Sequence, residues 1–213
     1  MNVLESKIDG RHRVLNPRAA VIIAAAAIVL LFGVRSVHNR QFGKTIDSLR
    51  QSAYTALESK DYSKAQMGLN QYLAFRRSDL DARQKLSSLL SKHIRTRPAL
   101  EHAFQLNEEL LRNDLPQVEL RLEQSRISVE LGKYSDARAH LHVLQQLRPD
   151  SAEIWYLSAH CAKESRNVDE AVDCYQHSLD CPNPPELAFE ELAMLAKANP
   201  HLMLDPENIL DQM

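Results

Sequence analysis

Glycine is scarce. Five in 213 residues are too few for a Gly-rich phosphate loop, a dinucleotide-binding fold or a β-sandwich full of tight turns. Neither G-x-G-x-x-G nor G-x-x-x-x-G-K-[ST] occurs. An excess of one charge is missing too. The 26 basic and 28 acidic residues leave a net charge of −2, which supplies no global field for a polyanion, so nucleic acid is not an expected partner. Three cysteines, an odd number in a chain long enough to build a core without covalent staples, imply no disulfide framework. H-E-x-x-H and G-x-S-x-G are absent as well. The expectation is a protein that is not an enzyme, with no cofactor and no small-molecule substrate. What is present, 44% hydrophobic and 25% charged residues, suffices for a folded core, and the scarcity of glycine points to an all-α class.

One long apolar run stands out. Residues 19–34, AAVIIAAAAIVLLFGV, carry no charge and are bracketed by Arg18 and Arg35. At 1.5 Å per residue they make roughly 24 Å of helix against about 30 Å of bilayer hydrocarbon. Val14, Leu15 and Val37 lengthen the span, and the two arginines can lift their charges to the headgroups. No residue between them would give a water-facing helix its polar side. The run therefore reads as a transmembrane signal anchor after a basic tail, 1–18. A cleaved signal peptide is the rival, disfavoured by the long leading tail and by the arginine inside the best small-residue site, Val34-Arg35-Ser36. Basic residues are balanced across the run. The short, tightly clustered leading set tips the tail towards the cytosol, with the large C-terminal part crossing.

The remainder repeats itself. Gly132–Glu153 aligns with Arg166–Leu187 at an offset of 34, placing Ala137 on Ala171, Leu141 on Tyr175 and Tyr134 on Val168. Upstream, Tyr62, Ala65, Leu69 and Leu73 follow the same pattern, with four extra residues assigned to the loop around Pro98. Two series of small residues run in register: Ala53, Ser87, Ser125, Ala159 and Ala193, and Ala65, Ala103, Ala137 and Ala171. Close crossing of two helices requires a small side chain on each at the contact. An apolar residue three positions before the second small one (Tyr62, Leu100, Tyr134, Val168) would wedge each interhelical turn.

Punctuation agrees with that register. Prolines 98, 116, 149, 182, 184, 185, 200 and 206 all fall at loops or helix ends, where none costs the roughly 3 kcal/mol of an interior proline. Asp150-Ser-Ala-Glu153 and Asn183-Pro-Pro-Glu186 have capping-box spacing before apolar runs. Residues 186–198 read as a closing helix with Phe189, Leu192, Ala193 and Leu195 inward and Glu190, Glu191 and Lys197 outward.

With its 34-residue period and with Trp155, Tyr156, Ala159, Ala171, Tyr175 and Leu179 at characteristic positions, the chain resembles the tetratricopeptide repeat (TPR) family. The third unit supplies Gly132, Tyr134, Ala137, Leu141 and Pro149. Earlier units depart from the pattern: Lys60 stands at the turn glycine, and Arg83 and Asn107 stand where aromatic or aliphatic residues are usual. The resemblance implies an all-α, right-handed TPR-like α-solenoid of helical hairpins preceded by one transmembrane helix. Its expected organisation is a basic tail (1–18), anchor (19–34), linker (35–45), array of about four repeats with a capping helix (46–199), and a tail or the start of a further hairpin (200–213). Anchored arrays of this kind resemble bacterial proteins tethered beside a membrane, which implies a single pass through a bacterial inner membrane with the repeats outside the cytosol.

By the same resemblance the first helices would line a concave face. Arg50, Tyr54, Gln84, Ser88, Leu122, Arg126, Tyr156 and His160 are its candidate contacts for a protein or peptide; the plainer reading is a solvated face. A lysine and asparagine clamp for terminal carboxylates is not supported, since Arg50 and Tyr54 occupy the clamp positions. The densest reactive cluster, His160, Cys161, Cys174, His177 and Cys181, has ligand types suited to zinc. The repeat frame spreads them over two helices and a unit end, so small apolar fillers are the default for the cysteines. Three functions follow: a membrane-tethered scaffold for complex assembly or envelope organisation, a regulatory array of a larger or multi-chain enzyme, and a metal or redox module.

Overall fold

The computed structural model describes residues 42–112 and 117–212. The expected tail, anchor and nearly all of the linker lie outside the described residues. Among those described, every regular element is helical and no helix is long and apolar enough to cross a membrane. Contacts divide the chain into two units, 1–51 and 52–213.

Helix α1 (42–58) is followed by α2 (Tyr62–Phe75), α3 (Leu80–Leu89), α4 (Arg97–Leu111), α5 (Val118–Glu130), α6 (Tyr134–Leu147), α7 (Ala152–Glu164), α8 (Val168–Asp180), α9 (Glu186–Ala198) and α10 (Pro206–Leu210). Three of the turns inside hairpins share one hydrogen-bond pattern. Lys60 N donates to Leu57 O and Asp61 N to Ala56 O; Gly132 N and Lys133 N donate to Val129 O and Ser128 O; Arg166 N and Asn167 N donate to Lys163 O and Ala162 O. These are Schellman ends, in which a left-handed residue lets the chain satisfy two orphan carbonyls and reverse. Lys60 (φ 60°), Gly132 (φ 75°) and Arg166 (φ 61°) are those residues. The next residue then caps the following helix where its side chain allows, Asp61 accepting from Lys64 N and Asn167 from Glu170 N.

Only one of the three turns uses glycine, so the other two bear side-chain strain. A Cβ on Gly132 would meet nothing within 4 Å. Gly132→Ala should therefore cost only the left-handed penalty, about 1 kcal/mol. Lys60→Gly and Arg166→Gly should move urea midpoints the other way by a smaller amount, because glycine's unfolded-state entropy offsets part of the gain. Midpoints of all three variants check this.

Both small-residue series are interior. Ala65, Ala103, Ser125, Ala137, Ala159 and Ala171 are fully buried, and Ala53, Ser87 and Ala193 nearly so. In the first hairpin the closest approach also involves Gly68, where an added Cβ would sit 2.8 Å from Ala53 Cβ. Stacked hairpins share their cores. Ala137, Leu141 and Leu144 of α6 pack with Ile154, Leu157 and Cys161 of α7, while Ala171, Val172 and Tyr175 of α8 pack with Ala188 and Leu192 of α9. Each amphipathic hairpin thus buries its apolar side on its neighbour. Buried serines are satisfied locally or across units: Ser125 and Ser128 donate to Arg121 O and Gln124 O, and Ser178 donates 2.7 Å to Ala152 O at the start of α7.

Several local expectations are corrected. Neither capping box forms: Ser151 and Pro185 are the N-cap residues, without side-chain caps, and Glu153 is drawn off by Arg126. Pro98 sits in the first turn of α4, capped by Thr96, not in the loop. Part of the four-residue surplus is taken up earlier, as a π-helical turn, Leu90–Ile94, that ends at left-handed Arg95. Glu191 does not point freely outward but is half-buried and bound to Lys163 at 2.6 Å. Beyond α9, a 3-10 turn (Pro200–Leu202) and α10 bring Leu202, Leu204 and Ile209 against the α7–α9 core.

Candidate partner-binding surface

First helices are joined to one another on one face by polar clasps. Tyr54 Oη donates to Asp81 Oδ2 at 2.7 Å, linking α1 to α3. The guanidinium of Arg126 holds both carboxylate oxygens of Glu153 at 2.6 and 2.7 Å, linking α5 to α7. Residues 54 and 126 hold the same repeat position, and each reaches 27 residues ahead. At the other two junctions Arg95 pairs with Glu130 and Lys163 with Glu191. The Glu153 hydrogen bonds, more than its charge alone, raise the Arg126 pKa further.

The eight sequence-predicted contacts divide accordingly. Gln84, exposed, and Ser88, half-buried, lie together with Arg126 around a recess between α3, α4 and α5. Tyr54 and Arg126 are on the face but engaged in clasps. Tyr156 and His160 are half-buried; Tyr156 tilts against Tyr175 at 6.1 Å and His160 meets Tyr134 edge-on at the same distance. Leu122 does not line the face: it is 7% exposed and packs with Ala137 and Leu141. Its side chain falls in the seam between α6 and α7, in one cluster with Leu144, Ile154 and Leu157. Arg50 lies in the 1–51 unit. The interhelix clasps escaped sequence reading, although the recurrence of the 27-residue offset at matching positions was a usable signal.

Among the described residues, six of the eight buried polar side chains, Ser87, Ser91, Asn107, Gln124, Ser125 and Ser128, belong to α3, its π turn, α4 and α5. Asn107 is the departure seen in the sequence, an amide at the position that Leu69, Leu141 and Tyr175 hold in the other units. It is fully buried. Its Oδ1 accepts from Ser87 Oγ, while its Nδ2 has no hydrogen-bond partner among the described residues. The recess it borders is about 140 Å³ and abuts a larger one of about 410 Å³ that also contacts Lys92, Glu123 and Arg126.

The cysteine and histidine cluster is dispersed by packing. Cys161 and Cys174 are buried and unoxidised, His177 stacks on Trp155 at 4.7 Å, and Cys181 Sγ contacts Pro149 O at 3.8 Å. Among the described residues no three His, Cys, Asp or Glu side chains are grouped as metal ligands. Burial pushes the Cys161 and Cys174 thiols up to about 11; Cys181 is raised too, mainly by desolvation, but remains half-exposed. In the folded protein at pH 7.5, maleimide should modify Cys181 first, with Cys161 and Cys174 on the order of a hundredfold slower. Intact-protein mass spectrometry would show one rapid adduct, and three after denaturation.

His160 is held neutral. Burial is the main cause, and Lys163 adds to it, together lowering its pKa, and its Nδ1 is buried without a partner among the described residues. An unfolded histidine titrates near 6.5. The unfolded chain therefore binds the extra proton first, and stability falls as pH drops below about 6.5 towards the lower folded value. His160→Gln should lose less of its urea midpoint between pH 7.5 and 5.5 than the unaltered protein; parallel losses would remove His160 as the cause.

No protein-family profile matches the chain, and no curated protein is similar to it in sequence. Solved structures of MamA are similar in fold. MamA 41-end from Desulfovibrio magneticus RS-1 superposes with a TM-score of 0.63 at 11% identity, over 78% of this chain and 90% of that one. A second MamA crystal structure gives 0.64 at 12%, over 80% and 88%, and MamA AMB-1 gives 0.61 at 18%, over 78% and 87%. MamA is a TPR-like helical-repeat protein. At these identities the likeness is one of fold: the described helices form an all-α, TPR-like solenoid.

Proposed function

We propose that this chain is a membrane-tethered scaffold, not an enzyme, that holds a protein or peptide partner on the face of its first helices. The observation that carries the reading is the joining of successive first helices by side-chain clasps, which pre-organises a continuous face and lowers the ordering cost of docking an extended segment. Polar recesses bordered by Gln84, Ser88 and Arg126 interrupt that face and give a partner shape and hydrogen-bond partners to read. The uncharged run 19–34 is the proposed tether, with the array on the non-cytosolic side of a bacterial inner membrane.

Photocrosslinking in cells tests the binding face. Reactive residues belong at Gln84 and Ser88, because changing Tyr54 or Arg126 would open a clasp. Trapping of a polypeptide from these sites, but not from Glu101 or His142 on second helices, is the expected result. Equal trapping from both sets rejects the face. Membrane-impermeant maleimide on Cys181 in intact cells reports sidedness: labelling without detergent is expected, and protection until the cells are opened would reverse the orientation.

A further inference from the structure

The repeat unit that departs most from its neighbours also holds a polar recess with an unsatisfied donor. Asn107 replaces the Leu, Leu and Tyr of units one, three and four, is fully buried, and borders the 140 Å³ recess with Nδ2 unpartnered among the described residues. A buried donor left unpaired is costly unless something completes it. The π turn supplies the second element. By widening the helix after Leu89, it sets Lys92 at both recesses, and Lys92 makes no ion pair among the described residues. Of the carboxylates around the smaller recess, Glu119 is paired with Arg148 at 2.7 Å and Glu123 with Arg126 at 3.2 Å. One buried amide donor is thus unsatisfied, and the solvent-exposed Lys92 ammonium at the rim of the same recess favours an anionic acceptor over a neutral one. Several waters' volume fits the smaller space, while the adjoining 410 Å³ recess leaves room for chain running past.

We propose that this recess takes the side-chain carboxylate of an Asp or Glu from a docked polypeptide, with Asn107 Nδ2 and Lys92 Nζ donating to it. The assignment rests on the scaffold reading above and names the chemistry that reading leaves open. Asn107 belongs to a second helix, so this subsite lies beneath the first-helix face, not on it. Glu123 and Arg126 close one wall, and their mutual pairing keeps the arginine from competing with Lys92 for the ligand.

The test uses the full chain in detergent micelles, labelled with ¹⁵N-asparagine, with the Asn107 side-chain amide signals assigned by their loss in Asn107→Leu. The probe is N-acetyl-glutamate amide at constant ionic strength, with N-acetyl-glutamine amide as the neutral isostere. Saturable shifts of the Asn107 amide pair with the glutamate probe, little change with the glutamine probe, and about tenfold weaker binding in Lys92→Ala are expected. Equal response to both probes, no response beyond that of chloride, or a long-lived water on the Asn107 amide that the probe does not displace would each overturn the proposal. Those readouts concern the recess alone. Crosslinking from Gln84 and Ser88 can succeed while the recess ignores carboxylate, and the recess can bind carboxylate while no polypeptide is trapped, so the two claims fail separately.

Discussion

Ala171→Leu is expected to lower stability by about 3 kcal/mol, the upper end of the cost of overpacking a tight interior, and to drop the melting temperature by roughly 10 °C. Ala171 is fully buried on α8, in one cluster with Ala159, Ala188 and Leu192. A leucine there has no outward path: α7 lies on one side and α9 on the other, so relief requires displacing a whole helix from its neighbour. The matched control is Ala139→Leu on an exposed position of α6, where leucine and alanine have similar helix propensity and the change should stay within about 0.5 kcal/mol. Thermal unfolding followed by circular dichroism compares them. Similar behaviour of the two variants would mean that small residues do not set the spacing of the hairpins.

Asn107→Leu should act in the opposite direction. It removes the unpaired Nδ2 and restores the aliphatic residue type found at Leu69 and Leu141, both of which are buried. Deleting an unsatisfied buried donor is worth about 1–3 kcal/mol, less what Ser87 loses with its acceptor. Ser87 Oγ keeps a long contact of 3.5 Å to Ala103 O, so the net gain should be about 1–2 kcal/mol, read as a higher urea midpoint with an unchanged m-value. A more stable variant would identify Asn107 as a polar group kept at the expense of the core. A destabilised variant would show instead that the Asn107–Ser87 bond is a structural strut.

The two predictions also mark where sequence reading was sufficient. Small residues at a 34-residue spacing place two helix surfaces together whatever surrounds them, so burial of Ala137 and Ala171 could be read before any coordinates. Helix 186–198 was legible for the same reason: its apolar period has one solution. Caps were not. Glu153 has the spacing to bind its own helix N-terminus, yet Arg126, 27 residues away, takes both its oxygens, because a bidentate charged pair outbids a neutral backbone donor. Leu122 was placed on the binding face by its repeat position, but apolar neighbours on α6 and α7 bury it in the seam between those helices. The π turn was illegible too, since such turns are rare and nothing in the residues Leu90–Ile94 distinguishes extra residues that swell a helix from extra residues in a loop.

Local sequence alone determined that the array is helical, where its hairpins turn and which small side chains lie at the crossings, because periodicity and steric size act over a few residues. Tertiary structure decided which charged groups clasp one another, that Leu122 is interior, and that Asn107 carries an unpartnered amide beside a lysine. These depend on distances between residues 15 to 35 positions apart, which no local pattern encodes.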